Sequence, residues 1–466
     1  MPKALLISPS PKGLVAKGTR KFHRRFPPLS LLITAEMLRR QGFHVQFIDL
    51  NANHRQPVSG LMKETREKAK NADLVVMTTN PYPDWQCPSY EIASVLEFAR
   101  SLPSERLVIT GSHGSLYPGA MLRETGALAV VRDEPEQTVL ETAQLLLKKG
   151  DFSQVQGLSY RDGNRICHNP ARKLCSMDEF PPPAYDLVNL RDYHYELLGG
   201  NFALLETSRG CPYSCTFCNR SMFQNRYRRR TGEQILQEID TLITVHGCRA
   251  LYIFDLEFTL NREMVRTISR HLIEKNYAER LGFCWTCQTR ADSVDADLLK
   301  LMKQSGCSLI HFGIEAGNAE ILASTRKKIS KDSIRKGIEA AKQAGIQTAG
   351  FFMFGLPGET AAHYQQTLDF ALELNPTFAS FHPLIPIPGS PLFEEAFGKG
   401  PYWDEAFPTN RSYFKPEQER EISRFVRKAY LTYYLRPRYV AERIFSGNQA
   451  DYIRQFKLFL SFVLQK

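Results

Sequence analysis

The first third of the chain alternates short apolar runs with longer stretches in which apolar residues recur every three or four positions. Residues 4–8 read as a strand, and 29–40 as a helix with Leu31, Ala35 and Leu38 on one face and Gly42 closing it. Further strands are predicted at 45–49, 74–77, 107–110 and 129–131. A helix opens near Pro135, where proline is tolerated in the first turn, and ends near Gly150. Strands separated by helices predict a doubly wound parallel sheet over residues 1–150, with ligands beyond the carboxyl ends of its strands. Residues 151–200 break the rhythm as a connector: 157–164 reads as a strand into an Asp-Gly turn, and 180–185 as a stiff proline-rich bridge.

From residue 201 the pattern repeats strand, loop and helix six times, with strands near 203–207, 249–255, 281–287, 308–314, 347–354 and 378–384. That spacing predicts parallel crossovers curling into a barrel over 201–395, with catalytic loops at the carboxyl ends of the strands. A helical region, 396–466, follows. Its segment 417–444 carries an aromatic and basic group, Tyr430, Tyr433, Tyr434, Arg436, Arg438 and Tyr439, which reads either as a helix packed on the outside of the barrel or as a cover over the substrate.

Composition narrows this picture. A length of 466 residues calls for two or three domains, and 43% hydrophobic with 23% charged residues describes a globular chain. The start lacks the long apolar core of a signal peptide, and no run, 458–464 included, has the length of a membrane span. Ten cysteines in such a chain point to a reducing compartment, expected to be the cytoplasm, and to thiolates as ligands. The net charge of +11 and the basic run Arg226-Tyr-Arg-Arg-Arg230 raise nucleic acid as a partner. One such run equally fits a solvated surface or an anionic cofactor or substrate.

The most specific chemistry lies at 206–220, E-T-S-R-G-C-P-Y-S-C-T-F-C-N-R, directly after the apolar run 202–205. A four-iron cluster takes one thiolate per iron, so three cysteines leave one iron open. A closed zinc site needs a fourth ligand, such as His246 or Cys248. The spacing Cys211-x3-Cys215-x2-Cys218, with Phe217 before the last cysteine, resembles the radical SAM signature. The strand-end groups of the first sheet, Ser8-Pro9-Ser10-Pro11, Thr78-Thr79-Asn80 and Gly111-Ser112-His113-Gly114, resemble the cobalamin-binding domain that precedes many radical SAM domains, as does the segment Phe26-Pro27-Pro28-Leu29. Two departures stand out. The Asp-x-His-x-x-Gly motif is absent, and the turn after the fifth strand, usually rich in glycine, reads Arg132-Asp133-Glu134-Pro135-Glu136.

The resemblance implies an α/β chain: a Rossmann-like cobalamin-binding domain, a (β/α)6 partial TIM barrel and a helical tail. It implies a 4Fe-4S cluster on Cys211, Cys215 and Cys218, and S-adenosyl-L-methionine (SAM) near Phe217, Asp255, Glu257, Arg290, Glu315, Gly355 and Glu359, where glycine at 355 lets backbone approach adenine. Cobalamin contacts are expected at Ser8, Thr78, Thr79, Gly111, Ser112 and His113. Trp85 is a candidate for the lower face of cobalt, with a tryptophan capping the sheet as the plainer alternative. Phe351 to Phe354 are expected in the barrel core. Cys284 and Cys287 lie within one strand and point to opposite faces, which argues against a redox or metal pair.

The implied activity is reductive cleavage of SAM to a 5'-deoxyadenosyl radical and methylation of an unactivated carbon in a small molecule or natural product. An external low-potential donor such as flavodoxin or ferredoxin would supply electrons, and neither membrane nor nucleic acid is an expected partner. The same cofactors serve cyclisation, rearrangement or oxidation of the tetrapyrrole type. Methylthio transfer to tRNA suits the charge but usually brings a second set of cluster cysteines and a small β-barrel tail, neither visible here. The non-enzymatic alternative is a zinc-dependent binding protein using the cysteine loop and the basic run.

Overall fold

The computed structural model of the chain describes residues 1–9, 25–52, 58–80, 92–407 and 413–445. Trp85, Ser10, Pro11 and the apolar run 458–464 lie outside the described residues. Strands β1 (Lys3–Ser8), β2 (His44–Asp49), β3 (Leu74–Thr78), β4 (Leu107–Thr110) and β5 (Ala129–Val131) are parallel and lie in the order 2-1-3-4-5. The order reverses between β1 and β3, so the crevice beyond their carboxyl ends is the natural ligand position of the sheet. Strand β4, Leu-Val-Ile-Thr, is wholly buried, as expected for a strand covered on both faces. The predicted Asp-Gly hairpin, β6 (Leu158–Asp162) and β7 (Arg165–His168), adds two antiparallel strands beside β5, so this part of the connector extends the first sheet.

Alternate residues of β1 enter different cores. Leu5 and Ile7 pack on one face, whereas Ala4 and Leu6 join a core that continues into the second sheet. Phe26 extends this core. It is buried, stacks on Phe202 at 5.1 Å and meets the edges of Tyr195, Tyr252 and Phe254. A short hairpin, β8 (His194–Tyr195) with β9 (Gly199–Gly200), brings Tyr195 to that position.

The second sheet is built from β10 (Phe202–Leu205), β13 (Ala250–Ile253), β14 (Cys284–Thr289), β15 (Cys307–Glu315), β16 (Gln347–Phe354) and β17 (Phe378–Pro383), all parallel and paired in sequence order. Between β10 and β13, the pair β11 (Ser208–Arg209) and β12 (Arg228–Arg229) runs antiparallel and closes the base of the cysteine loop. The third barrel strand begins at Cys284, later than expected, because 277–281 is a short helix ended by the left-handed Gly282. Its cysteines keep their predicted disposition: Cys287 is buried and Cys284 half-buried. The expectation for 351–354 holds for alternate residues only. Phe352 and Phe354 are buried, while Phe351 and Met353 lie half-exposed on the other face.

Strand β17 ends the sheet, and an open edge needs protection. The helices Pro416–Tyr434 and Pro437–Phe445 supply this with tyrosine hydroxyls. Tyr434 accepts from the Ala379 N–H at 3.0 Å and donates to the Ala379 carbonyl at 2.8 Å; Tyr430 accepts from the Phe381 N–H at 3.2 Å. Pro383, next on that edge, has no N–H to protect. Tyr433 and Tyr439 donate to the carbonyls of Pro376 and Thr377. The aromatic group of the tail therefore packs on the outside of the barrel, the first of its two expected placements, and Arg436 bonds locally to Tyr433 and Asn375. Replacing Tyr434 by Phe leaves two backbone groups unpaired and is expected to cost about 1–3 kcal/mol, read as a lowered urea midpoint. An unchanged midpoint would show that the edge does not depend on this hydroxyl.

Candidate active site

The cysteine loop leaves β10 through a tightly held base. Glu206, Thr207, Ser208 and Arg209 are all buried. Gly210 has φ +83°, and a Cβ there would overlap the carbonyl of Arg226, so glycine is required at this approach. Beyond it the loop is pinned from outside. Thr216 donates from its N–H to the Thr325 carbonyl at 2.9 Å, Leu392 N–H donates to the Thr216 carbonyl at 3.0 Å, and Asn219 donates to the Pro388 carbonyl at 2.9 Å. Arg220 donates to the Cys211 carbonyl at 2.9 Å.

Cys211, Cys215 and Cys218 are half-buried. Burial pushes the Cys211 and Cys215 thiols up, and for Cys215 the nearby cations of Lys327, Arg290 and Arg220 oppose that rise. The setting, cationic and partly open, suits thiolate ligands. Among the described residues no three His, Cys, Asp or Glu side chains converge as tightly as a single metal ion needs. The candidate zinc ligands His246 and Cys248 precede β13, at the opposite end of the sheet from the loop that follows β10, and the buried Cys248 thiol donates to the Ala250 carbonyl at 3.3 Å. Three spread thiols without a fourth partner fit a cluster better than zinc.

The ends of the next strands brace this loop, and several residues expected at the cofactor take part in the bracing. Asp255, expected at the SAM amino group, accepts the Thr207 N–H at 2.7 Å on one oxygen and the hydroxyls of Thr207 and Ser208 at 2.5 and 2.6 Å on the other. Its carboxyl, buried in full, is pushed up to about 6 by desolvation. Arg290, expected at a cofactor carboxylate, forks onto Asp292 at 2.9 and 2.7 Å, donates to the carbonyls of Lys327 and Lys328, and lies 4.0 Å from the ring centre of Tyr213 in the cysteine loop. It clamps the loop to the 325–328 turn.

Glu257 and Glu315 are placed differently. Glu257 is buried and accepts from Thr289 Oγ1 at 2.5 Å, Arg290 N–H at 3.0 Å and Ser293 Oγ at 2.9 Å, all at Oε1. Glu315 sits after an irregularity in β15 at φ +70°, a strained position for a residue with a side chain. Lys327 holds it there, donating to Glu315 Oε1 at 2.6 Å and to the Gly313 carbonyl at 2.7 Å. A Cβ at Gly313 would collide with this pair. Sequence reasoning missed Lys327, which reads as one of several basic residues in 326–328.

At the fifth strand end two more of the expected residues make contacts within the chain. Gly355 has φ +97°, and a Cβ there would meet Phe414 and Ile422 of the tail. Glu359 turns back to accept the N–H groups of Gly355 and Leu356 at 2.7 and 2.8 Å, and desolvation pushes its carboxyl up to about 7. Both residues shape the turn. Phe217 is partly buried against the main core. On the same side of the barrel strands as the half-exposed Phe351, rings stack across neighbours: Tyr252 on His311, His311 on Phe351 and Phe351 on His382, at centroid spacings of 5.5, 5.6 and 6.3 Å.

The strand ends of the first sheet form a second polar group. Asn80 donates to Ser112 Oγ at 2.9 Å, His113 Nδ1 lies 3.1 Å from Thr79 Oγ1, and a Cβ on Gly111 (φ +105°) would meet Thr79 Oγ1. Ser8 Oγ and Thr110 Oγ1, at the ends of β1 and β4, are buried without a partner among the described residues. Thr78 is buried beside them. The acidic turn after β5 does not face this crevice alone. Glu134 and Glu136 reach Arg209 at 3.5 and 2.6 Å, and Glu134 also pairs with Arg228. Arg230 pairs with Glu238 at 2.7 Å. The basic run 226–230 is thus partly consumed in buried ion pairs, and only Arg226 and Arg229 are exposed.

Residues 205–371 match the radical SAM superfamily. An uncharacterized methyltransferase of Pyrococcus horikoshii is 30% identical over 457 residues, covering 95% of this chain and 95% of its own. The cytidylyl-2-hydroxyethylphosphonate methyltransferase of Streptomyces wedmorensis is 26% identical over 453 residues, covering 85% of this chain and 82% of its own. The radical S-adenosylmethionine methyltransferase TsrM from Kitasatospora setae, solved with cobalamin and a 4Fe-4S cluster, superposes with a TM-score of 0.67 over 85% of this chain and 75% of its own, at 19% identity. A sheet with a switch point, a partial barrel and a three-cysteine loop at the end of its first strand define a radical SAM enzyme, and the chain belongs to that superfamily. No helix of the described residues is long and apolar enough to cross a membrane.

Proposed function

We propose that this chain is a cobalamin-dependent radical SAM methyltransferase that transfers a methyl group to an unactivated carbon of a small molecule. The observation that carries this reading is the meeting of two strand-end regions: the turn after β5 of the first sheet touches Arg209, two residues before Cys211 of the barrel. A cofactor in the β1–β3 crevice and one on the cysteine loop would then serve one reaction space. When bound, the cluster with SAM supplies hydrogen abstraction and cobalamin supplies a transferable methyl group.

The chain's own residues position and shield. Cys211, Cys215 and Cys218 hold the cluster on a loop braced by Asp255 and clamped by Arg290. Glu257 and the Lys327-held Glu315 offer carboxylates to the ammonium or ribose of SAM. Ser8, Thr78, Thr79, Gly111, Ser112 and His113 line the cobalamin crevice, with Ser8 Oγ and Thr110 Oγ1 as the buried groups still open to a partner. The stacked rings ending at Phe351 and His382 give the substrate chamber an aromatic wall. An external reductant of low potential, of the flavodoxin or ferredoxin kind, completes the system.

The test is anaerobic reconstitution with iron, sulfide and hydroxocobalamin, followed by a strong reductant and SAM. Both 5'-deoxyadenosine and S-adenosylhomocysteine are expected among the products. Production of 5'-deoxyadenosine alone by cobalamin-loaded protein would favour a cyclase, rearrangement or oxidation outcome, and absence of both would refute the reading.

A further inference from the structure

Seven charged side chains gather where the first sheet meets the barrel: Glu136, Glu206, Arg209, Arg230 and Glu238 are buried, and Glu134 and Arg228 partly so. Arg209 is their centre, 3% exposed, with Glu136 at 2.6 Å, Glu206 at 3.0 Å and Glu134 at 3.5 Å. Phe180 of the connector lies under its guanidinium at 4.9 Å. Arg228 adds a second link to Glu134 and donates to the Cys175 carbonyl, while Arg230 holds the Glu206 carbonyl at 3.0 Å.

Such a group is a poor source of stability. Removing ionised side chains from water costs more than their mutual attraction returns unless every bond is made. Here Glu136 Oε2, Glu238 Oε1 and the Nε atoms of Arg228 and Arg230 have no partner among the described residues. The best-attested use of a buried ionic group is to fix a register. The register fixed here is between the two cofactor regions, because Arg209 adjoins Gly210, whose close approach to the Arg226 carbonyl leads directly into Cys211.

The other end of the network reaches the first sheet's crevice by a continuous set of bonds. Asp133 N–H donates to Ser115 Oγ at 2.8 Å, and Ser115 Oγ donates to the Gly111 carbonyl at 3.0 Å. Gly111 leads into Ser112 and His113, which bond to Asn80 and Thr79. The path therefore runs from the crevice through Asp133 and Glu134 to Arg209 and the cysteine loop.

We infer that Arg209, held by Glu134 and Glu136, is a positioning residue through which occupancy of the first-sheet crevice and occupancy of the cysteine loop are energetically coupled. This rests on the cobalamin reading above and adds a reciprocal effect to it: each cofactor strengthens the binding of the other. A merely structural clasp would hold the two units together without that reciprocity.

Equilibrium dialysis against hydroxocobalamin tests it on the full chain, with the cluster reconstituted and with iron removed by chelation. The wild-type chain is expected to bind hydroxocobalamin about 5-fold or more tightly with the cluster in place. Glu136→Gln should reduce that ratio to near one. Arg209→Lys, which keeps the charge but loses the fork, should do the same and serves if Glu136→Gln does not fold. Asp186→Asn, which breaks an exposed pair with Arg39 that shares no member with the network, should keep the wild-type ratio. A wild-type chain that binds no hydroxocobalamin overturns the cobalamin reading itself. One that binds it equally with and without cluster, or whose ratio survives both network substitutions, overturns the coupling alone.

Discussion

Cys215→Ala protein, reconstituted anaerobically, is expected to hold markedly less iron than the wild-type chain and to release 5'-deoxyadenosine at least about 100-fold more slowly. Loss of an outer partner of a metal ligand already costs 10–100-fold, and loss of a ligand exceeds that. Two features localise the effect. The loop is fastened by backbone bonds that do not use the thiol, from Thr216 to Thr325 and from Leu392 to Thr216, so its course should survive the substitution. Cys215 is only half-buried, so its truncation removes little from the core. A circular dichroism spectrum matching the wild type, together with lost iron and lost SAM cleavage, is the expected pattern. Retained cleavage would refute a ligand role for this cysteine, and the same experiment applies to Cys211 and Cys218.

Lys327→Met is expected to destabilise the chain by about 3–5 kcal/mol, because it strands a buried carboxylate. The pair it breaks is nearly dry, with side-chain exposures of 8% for Lys327 and 9% for Glu315. The ammonium also holds the Gly313 carbonyl, and Glu315 is already in a left-handed conformation with no ready alternative. The double variant Lys327→Met, Glu315→Leu should recover most of the loss, since it removes both charges and leaves none unpaired. Urea midpoints of the three proteins decide the matter. A single variant within about 1 kcal/mol of wild type would show that Glu315 finds another partner or simply protonates, and that Lys327 is not what holds it.

The comparison between expectation and structure separates two kinds of information. Parallel strands at β1 to β5, at β10 and at β13 to β17 were legible because covered strands read as apolar runs and helices repeat with another period. The three cysteines were legible because their ligand spacing lies within one short loop. Cys284 and Cys287 do lie within one strand, as their apolar run implied. The roles of Asp255, Arg290, Gly355 and Glu359 were not legible, because a carboxylate or glycine at a strand end looks the same whether it faces a cofactor or turns back on its own loop. The basic run at 226–230 invited a surface reading, yet Arg228 and Arg230 are paired with glutamates 94 and 8 residues away in sequence.

By itself, then, the sequence determined the α/β class, the order of the two sheets and the cysteine loop, since each depends on contacts or periodicities within a few tens of residues. Only the tertiary structure decided which polar groups remain to meet cofactors. It assigned Lys327 to Glu315, the tail tyrosines to the open edge of β17, and Arg209 to carboxylates from another sheet. The tyrosine and Arg209 pairings join residues distant along the chain, the Lys327 pair crosses the turn after β15, and a buried charge takes whichever partner the packing of the whole molecule brings within reach.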